Sequence, residues 1–254
     1  MAIRQNIATI SAADLDAFRN AISTAMRIRD NRGYSFFAGL HGYPSGLCKH
    51  GNPLFPPWHR AYLYMFELSL HDLSGNRDVA FPWWDWSSDE AHQNGVPGPY
   101  RQAPLAAADI PLDPQTLQLI EQQVPFAVDI SGPVPRTIRN PGSGNQLPSV
   151  DAVEDILSAP TYDDFANRLE DVHNGVHGWF NGSMAIIPVA AFDPIFWAHH
   201  AMVDRLWYLW QLRNPGAGVP DSILNQALEG FPLTVAQVLD INALGYEYAV
   251  GMIA

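Results

Sequence analysis

The run Asp193-Pro194-Ile195-Phe196-Trp197-Ala198-His199-His200-Ala201-Met202-Val203-Asp204-Arg205-Leu206-Trp207 constrains this chain more than any other stretch. An acid and a proline stand at its start, where helices favour them. Apolar side chains fill most other positions through Trp210, the pattern of a helix buried on nearly all sides. Two adjacent histidines in such a helix need an explanation, because a buried imidazole requires a hydrogen-bond partner or a metal. Asp204 follows His200 by four residues on the same helical face, where it is expected to orient that ring. The helix reads as one wall of a metal site, and the remaining ligands must come from elsewhere.

Composition limits the rest. A chain of 254 residues, 47% hydrophobic and 11% aromatic, is globular and long enough for one large domain, expected here to span 1–254. A formal charge of -12 argues against nucleic acid or an anionic membrane as partner. One cysteine, Cys48, excludes an internal disulfide framework. No stretch has the length of a membrane-spanning helix, and the N-terminus lacks the apolar core of a signal peptide, so a cytoplasmic location is expected.

The patterning is mostly helical. Ser11 caps a helix that runs to about Arg29 and carries Leu15, Phe18, Ile22 and Met26 on one face. A short segment from Tyr34 to Leu40 delivers His41, and an irregular Gly- and Pro-rich loop follows from Gly42 to Pro57. Trp58 opens the next helix, to about Asp72, and Phe81 to Trp86 is aromatic enough to be core. From Ser87 to Val150 prolines, glycines and polar runs dominate around one helix near Pro114 to Gln123, as in a lid or covering loop. Helices return at Val150 to Leu157 and Tyr162 to Phe180. A short helix over Leu233 to Ile241 and a strand end at Gly245 to Tyr248 complete a mainly α chain with long loops and minor β.

The nine histidines are unevenly placed. His41, His50 and His59 form one group at spacings of nine. His173 and His177 lie four apart on a helix, so both rings project from one face, and they join His199 and His200 as a second group. His71 and His92 stand alone and are read as structural or solvated. Imidazole suits zinc, copper, nickel and iron, so softness does not choose among them. Two clusters without carboxylates at matching spacing set aside the usual iron and dizinc sites. An uncharged three-plus-three set stabilises Cu(I) and leaves open positions for oxygen, which makes a dicopper site the best reading.

With these residues in view, the sequence resembles the tyrosinase family of type-3 dicopper proteins: tyrosinases, catechol oxidases and molluscan haemocyanin units. His50-Gly51 with Phe55-Pro56-Pro57-Trp58-His59-Arg60 is similar to the family's first copper motif. His173-Asn174-Gly175-Val176-His177 and the run from Asp193 to Trp207 are similar to its second. Pro82-Trp83-Trp84-Asp85-Trp86 resembles a core segment of the family, and Arg4 with Tyr246-x-Tyr248 resembles the pair that closes its catalytic core. The match spans nearly the whole chain.

The resemblance implies a central antiparallel four-helix bundle with two coppers between its helices. It assigns His41, His50 and His59 to the first copper and His173, His177 and His200 to the second. His199 would line the pocket or support a ligand, and Asp204 would lie one turn behind His200. Cys48, two residues before His50, matches an arrangement in which sulfur and imidazole are joined as a thioether. Asn174 matches an asparagine that shares a water with a glutamate, for which Glu170 is the best candidate although its spacing from His173 is shorter than in many bacterial relatives. Ile187 falls where some catechol oxidases place a blocking phenylalanine, and Gly178 would widen the mouth. The implied activity is oxidation of small phenols by O2, with hydroxylation of monophenols and conversion of o-diphenols to o-quinones. A catechol oxidase, a haemocyanin-like oxygen carrier and an o-aminophenol oxidase are the alternatives.

Overall fold

The structure is a computed structural model that describes residues 1–249. Its first helix, α1 (Ala12–Arg27), starts where the Ser11 hydroxyl accepts the Asp14 N–H at 3.1 Å, and it buries Phe18, Ala21, Ile22 and Ala25. Next come α2 (Tyr34–His41) and α3 (Phe55–Ser74). The latter begins three residues before Trp58, because Pro56 and Pro57 fall in its first turn, where a missing N–H leaves no helical bond unmade. It stops at Gly75, whose left-handed φ of 67° ends the helix.

Later come α4 (Asp89–Asn94), α5 (Pro114–Gln123), α6 (Val150–Leu157), α7 (Tyr162–Phe180), α8 (Ile187–Ala190) and α9 (Ile195–Arg213), then the short α10 (Asp221–Leu224) and α11 (Ile241–Leu244). Asp193 and Pro194 precede α9 rather than lying inside it, and an Asp193 oxygen accepts the Ile195 N–H at 3.1 Å. The helix expected over Leu233 to Ile241 is instead a single 3-10 turn at Ala236–Val238, followed by α11. The mainly α expectation holds.

Helices α3, α7 and α9 pack on one another in pairs. The fourth side is closed by α2, where Tyr62 donates to the Phe37 carbonyl at 2.7 Å, Phe37 stacks on Phe66 at 4.6 Å, and Tyr34 meets Trp197 edge-on. These four helices enclose the histidines. Trp83 and Trp86 are buried as expected, and the Trp84 N–H bonds to the Ala198 carbonyl of α9.

The stretch from Ser87 to Val150, expected to hold one helix, also carries α4, and it packs on the end of α7, where the Asn140 and Gly142 N–H groups bond to the Phe180 and Trp179 carbonyls. It carries a two-residue hairpin, β2 (Val128–Asp129) with β3 (Arg136–Thr137), and is tied to the start of α9 by Arg139. That guanidinium bonds both Asp193 oxygens and also reaches the carbonyls of Tyr100 and Leu105. Two strands far apart in sequence, β1 (Ala2–Arg4) and β4 (Tyr246–Tyr248), pair in parallel with Arg4 opposite Tyr248. No described helix is long and apolar enough to cross a membrane.

Candidate metal centre

Five of the six expected ligands come from helices. His41 is the last residue of α2, His59 lies in the early part of α3, His173 and His177 lie on α7, and His200 on α9. Only His50 is delivered by a loop. The rings of His41, His50 and His59 form a triangle with centroids 5.6, 5.3 and 5.7 Å apart. In the second group, the Nε2 atoms of His173 and His177 each lie 3.3 Å from Nε2 of His200. The two groups meet where His59 stacks on His200, with centroids 4.6 Å apart and planes at 19°.

Hydrogen bonds on the outer edge of three rings set which nitrogen faces inward. The Nδ1 edges of His59, His177 and His173 meet the Phe55 carbonyl at 2.8 Å, the Met184 carbonyl at 2.6 Å and the Asn174 side-chain oxygen at 3.1 Å. An Nδ1–H donor in each leaves Nε2 as a free lone pair in the cluster. Nε2 of His59, both nitrogens of His41 and Nδ1 of His200 are buried with no hydrogen-bond partner among the described residues. Burial, reinforced by neighbouring imidazoles, pushes His41, His59, His173 and His200 far below the usual imidazole value. Burial likewise pushes His50 and His177 down to about 4. Neutral, dry, unpartnered imidazole nitrogens without a carboxylate among them suit copper, including Cu(I), and the donor set fits a pair of such ions.

Cys48 is partly buried, and its sulfur lies with ring nitrogens of His41 and His50 inside a 4.8 Å cluster. Burial raises its thiol to about 11, against the opposing pull of Lys49. Asn174, Gly178 and Ile187 line a cavity of about 220 Å³ whose inner wall is His41, His50, His173 and His177. Ile187 is 49% exposed, so the cavity reaches the surface there. A larger hollow of about 450 Å³ over Trp179 and Arg101 has no histidine in its wall, so chemistry rather than size picks out the site.

His199 takes the second of its two expected places: it is fully buried and does not line the cavity, its ring is stacked 5.1 Å from that of His173, and one of its nitrogens lies within 4.8 Å of ligand atoms of His173, His177 and His200. Its place directly before His200 turns it about a quarter of the way round the helix, towards α7. Asp204 does not hold His200. One of its oxygens accepts from Arg60 at 2.5 Å, and the other accepts from Arg4 at 2.8 Å and from Tyr246 and Tyr248 at 2.7 Å each. Burial would raise this carboxyl, but Arg60 and Arg4 outweigh it and hold it low, so the group is a permanent anion serving two buried cations. Glu170 is buried but does not line the cavity; its Oε1 accepts the Gly51 N–H at 2.7 Å, and burial raises its carboxyl.

Other contributors carry weaker sequence signals. Met184 holds His177 through a backbone carbonyl, which any residue offers. Phe196 stacks on His200 with centroids 4.0 Å apart, one turn earlier on the same helix, so its position was legible in the motif. Gly42, directly after His41, has no room for a side chain: an added Cβ would lie 2.2 Å from the Pro188 carbonyl oxygen.

Residues 31–213 match the family model described as the common central domain of tyrosinase. A tyrosinase of Streptomyces lincolnensis is 32% identical, over 88% of this chain and 89% of its own length. A haemocyanin A-type of Enteroctopus dofleini, units Ode to Odg, is 30% identical over 97% of this chain and 22% of its own length. Among solved structures, a functional unit of octopus haemocyanin superposes with a TM-score of 0.79 at 24% identity, over 98% of this chain and 68% of that one. A mushroom tyrosinase does so with 0.75 at 22%, over 97% and 89%. The two structures establish the shared fold; the family model and the Streptomyces relative go further, and with the all-histidine cluster they show that this chain belongs to the tyrosinase family of type-3 dicopper proteins and is a dicopper oxidase working with two copper ions and O2.

Proposed function

We propose that the chain is a tyrosinase in the strict sense, hydroxylating small monophenols and oxidising o-diphenols to o-quinones with O2. His41, His50 and His59 hold one copper, and His173, His177 and His200 hold the other. The observation that carries this reading is that four of these imidazoles, His41, His50, His173 and His177, line a cavity that opens beside Ile187, with His59 and His200 packed against them behind it. The copper pair, when bound, supplies two-electron redox chemistry with O2.

The chain's own residues bind and prepare the phenol. Met184, Ala185, Ile187 and Ala190 give the cavity apolar walls that suit an aromatic ring, and Gly178 adds no side chain at its edge. Asn174 offers an amide to the same space, since only its side-chain oxygen is engaged, by His173. A monophenol must lose its proton before it reacts, because phenolate is the better ligand and nucleophile. We assign that proton to a water shared by Asn174 and Glu170. Oε1 of Glu170 is taken by Gly51, which leaves Oε2 to accept, and burial makes this carboxylate a stronger base than a solvated one. Cys48 is assigned a thioether to the His50 ring, formed with loss of two hydrogens whose electrons pass to O2. Mass spectrometry of the copper-loaded protein should show that deficit and no alkylatable thiol; a full-mass protein with a reactive thiol removes the assignment.

Oxygen uptake by the copper-loaded protein is the deciding measurement, first with catechol and then with tyrosine. Uptake with both is expected. Uptake with catechol alone would make the chain a catechol oxidase. Reversible oxygen binding without turnover of either would favour the second reading, an oxygen carrier, for which the 30% identity to a haemocyanin over 97% of the chain speaks.

A further inference from the structure

His50 is the one proposed ligand without a helix beneath it, and what fixes it is not local. Its loop turns at Gly51, which holds φ at +65°. An added Cβ there would meet nothing within 4 Å, so the glycine serves the backbone angle rather than a tight fit. Within the loop, Asn52 bonds the His50 carbonyl through its side chain and the Leu54 N–H through its oxygen, which shapes the turn without attaching it to anything. Besides the more exposed Lys49–Glu229 ion pair at 2.6 Å, attachment comes from α7. The Glu170 carboxylate accepts the Gly51 N–H at 2.7 Å, and the Tyr162 hydroxyl donates to the Pro53 carbonyl at 2.7 Å. Glu170 is 8% exposed and Tyr162 2%, so neither bond competes freely with water. Both residues lie on the helix that also carries His173 and His177.

We propose that Glu170 and Tyr162 are positioning residues that clamp the His50 loop to α7, so that the first copper site is built on the helix of the second. The proposal rests on the reading of His50 as a ligand and deepens it. A carboxylate bonded to a backbone N–H makes a charge-assisted bond of the stronger kind. It bears on the residue directly after the ligand, where a small backbone shift moves the imidazole most. The clamp restrains the backbone, whereas a bond from Cys48 would restrain the ring, so the two act on different degrees of freedom. Glu170 thereby has two separable duties: Oε1 holds the loop, and Oε2 remains for the water it is proposed to share with Asn174.

Copper titration of the copper-free protein, alongside hydrogen exchange of the Gly51 amide, tests the clamp. In Glu170→Ala one copper equivalent should bind as in the unsubstituted protein and the other at least about tenfold more weakly, the usual cost of losing a group that supports a ligand. Gly51 exchange should speed up in parallel. Glu170→Gln keeps an acceptor oxygen, so it should restore the weakened affinity and the slow Gly51 exchange while still losing monophenol turnover, whereas a purely catalytic glutamate would show no difference in copper affinity between the Ala and Gln variants. Tyr162→Phe should weaken the same copper equivalent by a smaller factor. Unchanged affinities and unchanged Gly51 exchange in Glu170→Ala overturn the proposal. If that variant fails to fold, the unsubstituted protein decides: Gly51 exchange as slow as that of the α7 amides upholds the clamp, and exchange at the rate of an open loop removes it. A His50→Ala variant that binds both coppers normally would instead remove the reading of His50 as a ligand.

Discussion

A histidine in water takes up a proton near 6.5, but His50 and His177 do so only near 4, because burial penalises the imidazolium. Two consequences follow from the sign of that shift. Protons do not compete with metal for these two nitrogens until the pH approaches 4, so copper affinity should stay nearly flat from pH 7 to about 5 and fall below that. A titration series over this range checks it; a decline centred on 6.5 would mean solvated rings. In the copper-free protein the unfolded chain binds protons at 6.5, before the folded one does. Stability should therefore be lost as pH falls from 6.5 towards 4, visible as a decreasing melting temperature. At Gly42 the limit is steric. Gly42→Ala forces a Cβ onto the Pro188 carbonyl, and a destabilisation of about 1–3 kcal/mol is expected from denaturant unfolding. The same push falls between His41 and Ile187, so both the ligand and the cavity rim should shift. Histidines stand out in apolar helices, and the spacing of His173 and His177 places both on one face. The choice of six ligands, with His50 on a loop and His200 over His199, came from the family resemblance and not from spacing. The role of Asp204 was not legible. A separation of four residues puts it on the face of His200, yet it cannot reveal that Arg4, 200 residues away, and Arg60 claim the carboxylate first.

Among the elements, α1, α6 and α7 begin where expected: the Ser11 cap was read from the sequence, and Ser149 and Thr161 likewise accept an N–H of the first turn, whereas α4, capped by Ser88, was not expected. The start of α3 was not readable, because Pro56-Pro57 reads as loop until the helix is seen to use both in its first turn. The segment from Ser87 to Val150 showed its covering nature by composition. What fastens it did not show, since Arg139 and Asp193 are 54 residues apart. This ion pair is nearly dry, with side-chain exposures of 11% and 0%. Arg139→Ala would leave Asp193 as an uncompensated buried charge at the start of α9, and a loss of about 3–5 kcal/mol is expected in denaturant unfolding. The cover should come loose before the bundle does, so limited proteolysis should cut first between residues 87 and 149. Cleavage no faster than in the unsubstituted protein would place the fastening elsewhere.

At the scale of the whole molecule, Arg4, Arg60, Glu67 and Asp204 form one buried network that joins the first strand, α3, α9 and the last strand. Arg4 bonds Glu67 twice, at 2.9 and 2.7 Å, and also bonds Asp204 and Tyr248; Arg60 reaches Asp204 and the Val238 and Leu239 carbonyls. The cations also lie over rings, Arg4 at 3.8 Å from the Tyr246 centroid and Arg60 at 3.7 Å from that of Trp207. Asp204→Asn would leave the buried Arg60 guanidinium without a carboxylate, while Arg4 keeps Glu67, so a loss of about 3–5 kcal/mol is expected, although no proposed copper ligand is touched. Chemical denaturation of the copper-free protein measures this directly. The closing pair was visible in the sequence as Arg4 and Tyr248; its reach into the α3 and α9 core was not. The parallel pairing of β1 with β4 also has a meaning in time. The partner of the first strand leaves the ribosome 244 residues later, an interval of about 12–50 s at ordinary elongation rates. Until then Arg4 lacks its Tyr246 and Tyr248 partners. Closure of the Arg4 network therefore waits until the Tyr246–Tyr248 strand has been made.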